Sequence, residues 1–177
     1  MTVRALVTGG ARSGKSGFAE SLAWDLGGES VLYVATAEAP EEDGELHRRI
    51  EEHRRRRPSG WRTFEVSYYA GGPSLSDVPD SATEAGAVLL DSLTLWVSGR
   101  MLAGASDEEV LEELDELLAA GICAPLVVVA DEVGLGLVPE SAEGRRFRDL
   151  LGLANQRVAV AADEVHLCVA GVPLRVK

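Results

Sequence analysis

The segment that most constrains the fold is the glycine-rich stretch GGARSGKS at residues 9 to 16. It has the spacing G-x-x-x-x-G-K-S and lies between the apolar run VRALVTG and a segment in which Phe18, Leu22 and Leu26 recur at helical spacing. In a strand, loop and helix of this kind, the N–H groups of the curled loop and the positive end of the helix point at one place. The order therefore predicts a loop that binds phosphate.

Each residue of this loop is a predicted nucleotide contact: Gly9, Gly10, Ala11, Arg12, Ser13, Gly14, Lys15 and Ser16. We expect the Lys15 ammonium to act in catalysis by neutralising the β and γ phosphates, and the Ser16 hydroxyl to bind Mg²⁺. The alternative is a turn in which the glycines only satisfy backbone geometry.

The rest of the chain alternates apolar runs with segments of helical spacing. Strands alternating with helices form right-handed crossovers and a mostly parallel sheet that is covered on both faces. The predicted fold is therefore α/β, with three layers and an antiparallel C-terminal hairpin; the strand order is left open. The predicted strands are SVLYVAT, WRTFEV, AVLLDS, PLVVVAD and the two in VHLCVAGVPLRV, the predicted helices include GELHRRIEEHRRRR, SDEEVLEELDELLAAG and residues 145 to 162, and residues 70 to 86 are predicted to be irregular.

Length and charge limit the class of protein. A chain of 177 residues with 46% hydrophobic content allows one sizeable core, so we expect a single domain over residues 1–177. The formal net charge of −12 argues against nucleic acid as a partner, because phosphate-backbone binding needs excess Lys and Arg. Neither a signal peptide nor an apolar run of about 20 residues is visible, which predicts a cytoplasmic protein without a membrane span.

Basic residues cluster at two places in this acidic chain, and we expect phosphate to bind there. The two cysteines, Cys123 and Cys168, have apolar neighbours in sequence and are predicted to be small buried residues rather than a disulfide or a zinc site. His47 and His166 are predicted to have structural roles only. The basic clusters are Arg48, Arg49 and Arg54 to Arg57, and Arg145, Arg146 and Arg148.

Asp91 ends the apolar run AVLLD, which places a carboxylate at the carboxyl end of a buried strand. Ligands bind at that end of the strands in sheets of this kind. We therefore expect Asp91 to hold Mg²⁺ with Ser16, directly or through water. The alternative is that Asp91 caps the next helix, since DSLT is a plausible helix start.

His53 lies within the arginine-rich segment RRIEEHRRRRP. On a helix it shares a face with Leu46 and Ile50, and Arg49 and Arg57 lie one turn away on either side. Nearby positive charge disfavours protonation, so we expect a neutral ring. A neutral imidazole beside a triphosphate can attack phosphorus while the arginines stabilise the transferring group. The segment alone also fits an incidental histidine on a solvated, arginine-rich helix.

Several segments together resemble one family, the bifunctional adenosylcobinamide kinase/adenosylcobinamide-phosphate guanylyltransferase of cobalamin biosynthesis. The resemblance runs almost from end to end, and its most specific parts are the pattern from Arg49 to Glu65 and the EVGLGLVP segment. The segments occur in the family's order: LVTGGARSGKS, YVATAE, RRIEEHRRRRPSGWRTFE, VLLDSLTLWV, DEVGLGLVPE and GRRFRDLLGLANQRVAVAADEVHLCVAGVPLRVK.

The resemblance implies a RecA-like P-loop fold and two reactions. In the first, adenosylcobinamide takes the γ-phosphoryl of ATP or GTP on its aminopropanol hydroxyl. In the second, GMP moves from GTP to adenosylcobinamide phosphate, releasing pyrophosphate and giving adenosylcobinamide-GDP. The family's guanylylated histidine matches His53, and the resemblance also implies a homo-oligomer, specifically a trimer. Besides the loop, the implied nucleotide contacts are Thr36, Ala37, Glu38, Arg54, Arg55, Arg56, Arg57, Glu65 and Asp91.

The chain also departs from the family pattern. Asp131 stands where Asn is frequent, and Ser92 and Gly99 stand where Cys and Asn are common. The acid–base partner for the kinase step is left open between Asp91 and Glu65. Two other functions remain to be weighed: a P-loop kinase for another small alcohol or nucleotide, in which His53 is inert, and a nucleotide-switched binding protein.

Overall fold

A seven-stranded sheet forms the centre of the computed structural model, which describes residues 3–38, 44–69 and 71–177, apart from the side chains of residues 45, 46 and 49. The predicted roles of Leu46 and Arg49 therefore fall outside the described residues. The strands are β1 (Val3–Gly9), β2 (Val31–Ala35), β3 (Arg62–Glu65), β4 (Ala87–Asp91), β5 (Leu126–Asp131), β6 (Ala162–Val169) and β7 (Val172–Arg175). The helices are α1 (Lys15–Gly27), α2 (Gly44–Arg56), α3 (Val78–Ser81), α4 (Leu93–Leu102), α5 (Asp107–Ala119) and α6 (Ala142–Ala161).

The strand order is β3-β2-β4-β5-β1-β6-β7. All neighbours are parallel except β6 and β7, which form the predicted antiparallel hairpin. The chain inserts β5 between β1 and β4, so the strand that precedes the glycine-rich loop and the strand that ends at Asp91 are not adjacent. The α/β fold with a mostly parallel sheet is confirmed.

Two apolar layers cover the sheet. Helix α1 packs on one face through Ala19 and Ala23, against a cluster that includes Val7, Tyr33 and Val129. Helices α4, α5 and α6 supply the larger core on the other face, where α5 rests on α4 and α6. The strands β1, β2, β4 and β5 between these layers are buried on both faces, which is why they are continuous apolar runs in the sequence. The predicted three layers are confirmed.

Helix boundaries follow local capping signals. Ser106 and Glu109 form the predicted capping box of α5, with both reciprocal hydrogen bonds present. Helix α6 begins at Ala142, three residues earlier than predicted, because the Ser141 hydroxyl caps it by accepting from the Gly144 N–H at 3.0 Å. Within the region predicted to be irregular, a 3₁₀ turn at Leu75–Asp77 and α3 are present.

The structure corrects the prediction for Cys123 and decides between the two alternatives for Asp91. Cys168 is buried as expected, but Cys123 is exposed because it lies in the turn between α5 and β5, where only alternate residues face the core. The helix cap at the start of α4 is Ser92, which accepts from the Leu95 N–H at 3.3 Å. Asp91 is therefore not the cap.

Within the described part of the chain, none of the helices is long and apolar enough to cross a membrane.

The tightest glycine contact in the core lies between α4 and Tyr68. A Cβ atom at Gly99 would lie 2.3 Å from Cδ1 of the Tyr68 ring, whereas a Cβ atom at Gly152 of α6 would meet nothing within 4 Å. We predict that Gly99→Ala lowers the free energy of unfolding by about 1–3 kcal/mol, because the buried ring has to shift.

The matched control is Gly152→Ala, which we expect to be neutral or up to about 1 kcal/mol more stable, since alanine favours a helix interior. Equilibrium denaturation by guanidinium measures both variants. Equal stability of Gly99→Ala and Gly152→Ala would contradict this packing.

Candidate active site

The glycine-rich loop forms a rigid cage at the carboxyl end of β1. A Cβ atom at Gly9 would lie 2.5 Å from the Cys168 carbonyl oxygen, so the close approach to β6 requires glycine. Gly14 caps α1 in the left-handed conformation, with φ of 90°. The turn between β6 and β7 supports the loop, since the Gly171 N–H donates to the Ser13 carbonyl at 2.9 Å. The loop is therefore held in a fixed shape by the sheet beside it.

Lys15 is the first residue of α1, and its ammonium group contacts two oxygen acceptors of the protein. It donates to the Gly10 carbonyl oxygen at 3.2 Å and forms a salt bridge with the Asp131 carboxylate. Asp131 ends β5 directly opposite Gly9 in the register of β1 and β5. A carboxylate thus lies next to the ammonium that the loop presents to phosphate.

The carboxyl ends of three parallel strands each supply one carboxylate to this edge of the sheet. Asp131 ends β5, Asp91 ends β4, and Glu65 ends β3. All three line one cavity of about 640 Å³ between the glycine-rich loop and α2. The location agrees with the general rule that ligands of parallel sheets bind beyond the carboxyl ends of the strands.

Asp91 is held by a buried tyrosine. The Tyr33 hydroxyl donates to Asp91 Oδ2 at 2.7 Å. Burial, followed by the nearby Asp91 charge, raises the pKa of the Tyr33 hydroxyl well above its ordinary range, so the hydroxyl remains a donor. Among the described residues, Asp91 Oδ1 has no partner. That oxygen is free to bind a ligand in the cavity.

His53 lies on the last turn of α2 and lines the same cavity. Its Nδ1 atom is 3.6 Å from Asp91 Oδ2, and about a third of its side chain is exposed. The structure adds a neighbour that the sequence did not predict for this ring, namely a carboxylate within 4 Å. Because Nδ1 faces Asp91, Nε2 is the ring nitrogen left for a ligand.

Glu20 of α1 completes a group that the sequence did not reveal. Donor atoms of Glu20, His53 and Asp91 all lie within 4.8 Å of one another. Burial is the main cause that raises the pKa of the Glu20 carboxyl, and the Asp91 charge raises it further, while Arg56 opposes both. Glu20 is four residues after Ser16 on α1, so the i, i+4 relation was a usable signal.

The arginines in the last turn of α2 and directly after it have specific partners. The Arg57 guanidinium lies 3.5 Å from the centroid of the Tyr33 ring, in a cation–π contact. Arg56 pairs with Glu20 at 3.4 Å, and Arg54 pairs with Glu65. These contacts attach α2 to α1, β2 and β3, and they keep three guanidinium groups at the cavity wall.

The cavity brings together most of the predicted site residues. Three of the others have different surroundings. Thr36 is fully buried and its hydroxyl exchanges hydrogen bonds with the Ser92 backbone at 2.7 and 2.8 Å. Glu38 forms a hydrogen bond with Tyr68, and Arg55 is exposed. The predicted residues that line the cavity are Ala11, Arg12, Ser13, Gly14, Lys15, Ser16, Ala37, His53, Arg54, Arg56, Arg57, Glu65 and Asp91. The predicted residues outside the lining are Gly9, Gly10, Thr36, Glu38 and Arg55.

The second basic cluster is not part of this site. Arg146 pairs with Asp107 of α5 at 2.6 Å, and Arg148 pairs with Asp149 at 2.8 Å. Arg145 donates to two backbone carbonyls at the start of α6. These arginines lie outside the cavity lining and have partners within the fold, and phosphate binding there stays a prediction. His166 pairs with Glu164 at 3.0 Å and packs on Phe18, consistent with a structural role.

Comparisons with known proteins agree along nearly the whole chain. A family model described as cobinamide kinase / cobinamide phosphate guanyltransferase matches residues 5–176. The bifunctional adenosylcobalamin biosynthesis protein CobU of Salmonella typhimurium is 40% identical over 187 residues, which cover 97% of this chain and 98% of that protein. The bifunctional adenosylcobalamin biosynthesis protein CobP of Pseudomonas aeruginosa is 41% identical over 182 residues, which cover 99% and 98%. The crystal structure of the RadB recombinase gives a TM-score of 0.49 at 18% identity, covering 93% of this chain and 73% of that one.

The contact between Lys15 and Asp131 predicts an effect on nucleotide affinity. The Asp131 carboxylate competes with phosphate for the ammonium and repels the triphosphate. We expect Asp131→Asn to lower the Kd for GTP roughly three- to tenfold, the range that one partly exposed charge supplies at short distance. Isothermal titration calorimetry measures this Kd.

The matched control is Asp149→Asn, which removes an exposed carboxylate of α6 that pairs only with Arg148 among the described residues. We expect that variant to bind GTP like the unaltered protein. Weaker GTP binding by Asp131→Asn would show that the carboxylate assists the nucleotide rather than competing with it.

Proposed function

Because the chain belongs to the cobinamide kinase / cobinamide phosphate guanyltransferase family, we propose that it performs both transfers in one cavity. The first moves the γ-phosphoryl of ATP or GTP to the aminopropanol hydroxyl of adenosylcobinamide. The second moves GMP from GTP to adenosylcobinamide phosphate through a guanylyl group carried on His53. The products of the second transfer are pyrophosphate and adenosylcobinamide-GDP.

The observation that supports the histidine intermediate is the presence of His53 and the phosphate loop in the walls of one cavity. The Nε2 lone pair forms a bond to the α-phosphorus, and the bond from that phosphorus to the α–β bridging oxygen breaks. Pyrophosphate leaves with that oxygen. A phosphate oxygen of the acceptor then attacks the same phosphorus, and the phosphorus–nitrogen bond breaks to restore the imidazole.

Asp91 assists the transfer through Nδ1, the other ring nitrogen of His53. When Nε2 bonds to phosphorus, the ring becomes cationic, and the carboxylate near Nδ1 stabilises that charge. The Tyr33 hydrogen bond fixes the carboxylate in place. Asp91 thereby orients His53 and favours the charged intermediate, in the manner in which carboxylates orient catalytic histidines elsewhere.

The residues at the phosphate end supply the remaining stabilisation. Lys15 and the loop N–H groups neutralise the β and γ phosphates, so the pyrophosphate leaving group is stabilised where its charge develops. Arg54 and Arg56 line the cavity on the α2 side, where they lower the repulsion between two anionic substrates. The same cage serves both transfers, because each requires the triphosphate to be held.

Mg²⁺ fits this site at Ser16 and Asp91. Both residues line the cavity, and in the described part of the protein Asp91 Oδ1 has no hydrogen-bond partner. A bound Mg²⁺ would neutralise phosphate charge and fix the triphosphate geometry. We further propose that the chain works as a single cytoplasmic domain and assembles as a homotrimer, as its resemblance to the family implies.

One labelling experiment tests the proposed intermediate. Incubation with Mg²⁺ and GTP labelled in the α-phosphate should leave label on the protein that is stable to alkali and labile to acid. We expect His53→Ala to abolish the label while its kinase activity remains, because the ring acts only in the second transfer. A kinase without the transferase, or a nucleotide switch, would give no adduct in any variant.

Two further variants distinguish the phosphate-binding role of the glycine-rich loop, which both transfers use, from the role of His53 as the nucleophile. Lys15→Ala should lower both activities on the order of a hundredfold or more, because both use the caged triphosphate. His47→Ala changes an exposed histidine on the same helix and should retain the label. Label that persists in His53→Ala and disappears in His47→Ala would contradict the assignment.

A further inference from the structure

A glutamate that does not line the cavity connects α1 with α2. Glu20 Oε1 accepts a hydrogen bond from the Arg56 guanidinium at 3.4 Å, and Arg56 is three residues after His53 on the last turn of α2. Residues three apart on a helix lie on neighbouring parts of its surface. The pair therefore links the helix that begins at the glycine-rich loop with the helix that carries the proposed nucleophile.

Helix α1 is a firmly packed support for this glutamate. Ala19, directly before Glu20, and Ala23 are fully buried against the sheet. The same helix begins with Lys15 and Ser16, so Glu20 lies about one turn beyond the residues that are expected to bind phosphate and Mg²⁺. A group that Glu20 holds is therefore held at a fixed distance from the phosphate-binding loop.

Helix α2, in contrast, lies on the surface of the molecule. Among the side chains of α2 that the structure describes, only Ile50 and His53 are half-buried, and the others are exposed. Its C-terminal end is attached through charged groups: Arg54 to β3, Arg57 to β2, and Arg56 to α1. The position of His53 relative to α1 therefore depends on the contact that Arg56 makes.

The Glu20 side chain is more enclosed than that of an ordinary surface ion pair. Its exposed fraction is 20%, against 54% for Arg56. Donor atoms of Glu20, His53 and Asp91 lie within 4.8 Å of one another, so the carboxyl group faces the imidazole rather than the solvent. Water screens exposed ion pairs and leaves them weak, whereas a carboxylate removed from water needs a compensating cation. Arg56 supplies that cation.

The transfer to histidine makes a strict demand on the distance between the two helices. A nucleophile has to lie within about 3–3.5 Å of the atom it attacks, and a misplacement of about 1 Å can slow a reaction about a hundredfold. The start of α1 holds the phosphates, and the end of α2 holds the imidazole. The separation of these two helices therefore sets the distance from Nε2 of His53 to the α-phosphorus.

We propose that Glu20 is a positioning residue of the guanylyl transfer. Acting through Arg56, it holds the last turn of α2 at the separation from α1 at which Nε2 of His53 reaches the α-phosphorus. This rests on the proposed function, because it takes His53 to be the nucleophile. Glu20 neither makes a bond to phosphorus nor binds the nucleotide, so it affects the rate of the covalent step and not the affinity for GTP.

The first test measures the rate constant of covalent labelling by rapid quench, with Mg²⁺ and saturating GTP labelled in the α-phosphate. Glu20→Ala should lower this rate constant roughly tenfold, while the Kd for GTP from isothermal titration calorimetry stays within twofold. Glu20→Gln should recover part of the rate, because its amide oxygen can still accept from Arg56. The matched control is Glu51→Ala, which removes a carboxylate that pairs with Arg54 inside α2 and should label at the unaltered rate.

A double-mutant cycle tests whether Glu20 acts through Arg56. Arg56→Ala should also slow the labelling. The double variant, Glu20→Ala with Arg56→Ala, should label at most twofold more slowly than the slower single variant, because both changes break the same contact. Losses that multiply in the double variant would overturn the proposal.

Hydrogen exchange measures the attachment of α2 without any GTP chemistry. Glu20→Ala should raise the exchange rates of the amides of residues 53–56 roughly threefold, because this turn loses its contact with α1, whereas Glu51→Ala should leave them unchanged. Slower labelling with unchanged exchange would assign Glu20 a direct effect on the ring and overturn positioning through α2.

Two other results would also overturn the proposal. One is a labelling rate in Glu20→Ala within twofold of the unaltered value, and the other is a tenfold rise in the Kd for GTP, which would place Glu20 in the nucleotide site. Faster exchange in Glu20→Ala, in a protein that GTP never labels, would support the positioning of α2 and reject the histidine intermediate. The failure of this proposal and the failure of the proposed function are therefore distinguishable.

Discussion

The position of α2 depends on the stacking of Arg57 on Tyr33, and the rest of the site depends on where α2 lies. Tyr33 is buried in β2, and its hydroxyl binds the Asp91 carboxylate while its ring lies under the Arg57 guanidinium. One side chain therefore connects the end of β4 with Arg57, the residue that directly follows the last turn of α2. His53 is on that turn, and its distance of 3.6 Å from Asp91 follows from this connection.

The three carboxylates at this edge of the sheet have different partners. Asp131 ends β5 beside β1 and contacts Lys15, whereas Asp91 ends β4 and contacts Tyr33 and His53. Glu65 ends β3 and pairs with Arg54. In the order β1-β5-β4-β2-β3, the three strands lie one, two and four positions from the strand that precedes the glycine-rich loop, so the carboxylates lie at different distances from that loop. The division of roles comes from strand order rather than from residue type.

Much of this arrangement could be predicted from the sequence, because the signals are local. The loop at residues 9 to 16 and the strand end at Asp91 follow from short patterns, and His53 was assigned from its arginine-rich context and the family resemblance. The contact of Asp131 with Lys15 could not be predicted, since it requires β5 to be placed between β1 and β4. The pairing of Arg146 in the second basic cluster with Asp107 could not be predicted either, because Asp107 lies on a distant segment of the chain.

The most direct measurement is a crystal structure of the protein after incubation with GTP and Mg²⁺. A guanylyl group carried on His53 would give continuous electron density from Nε2 to the phosphorus of GMP, with Nδ1 still facing Asp91 and the guanylyl phosphate within the cavity. Density that links GMP to another side chain, or intact GTP at the glycine-rich loop with the His53 ring turned away from its α-phosphate, would show that His53 is not the nucleophile.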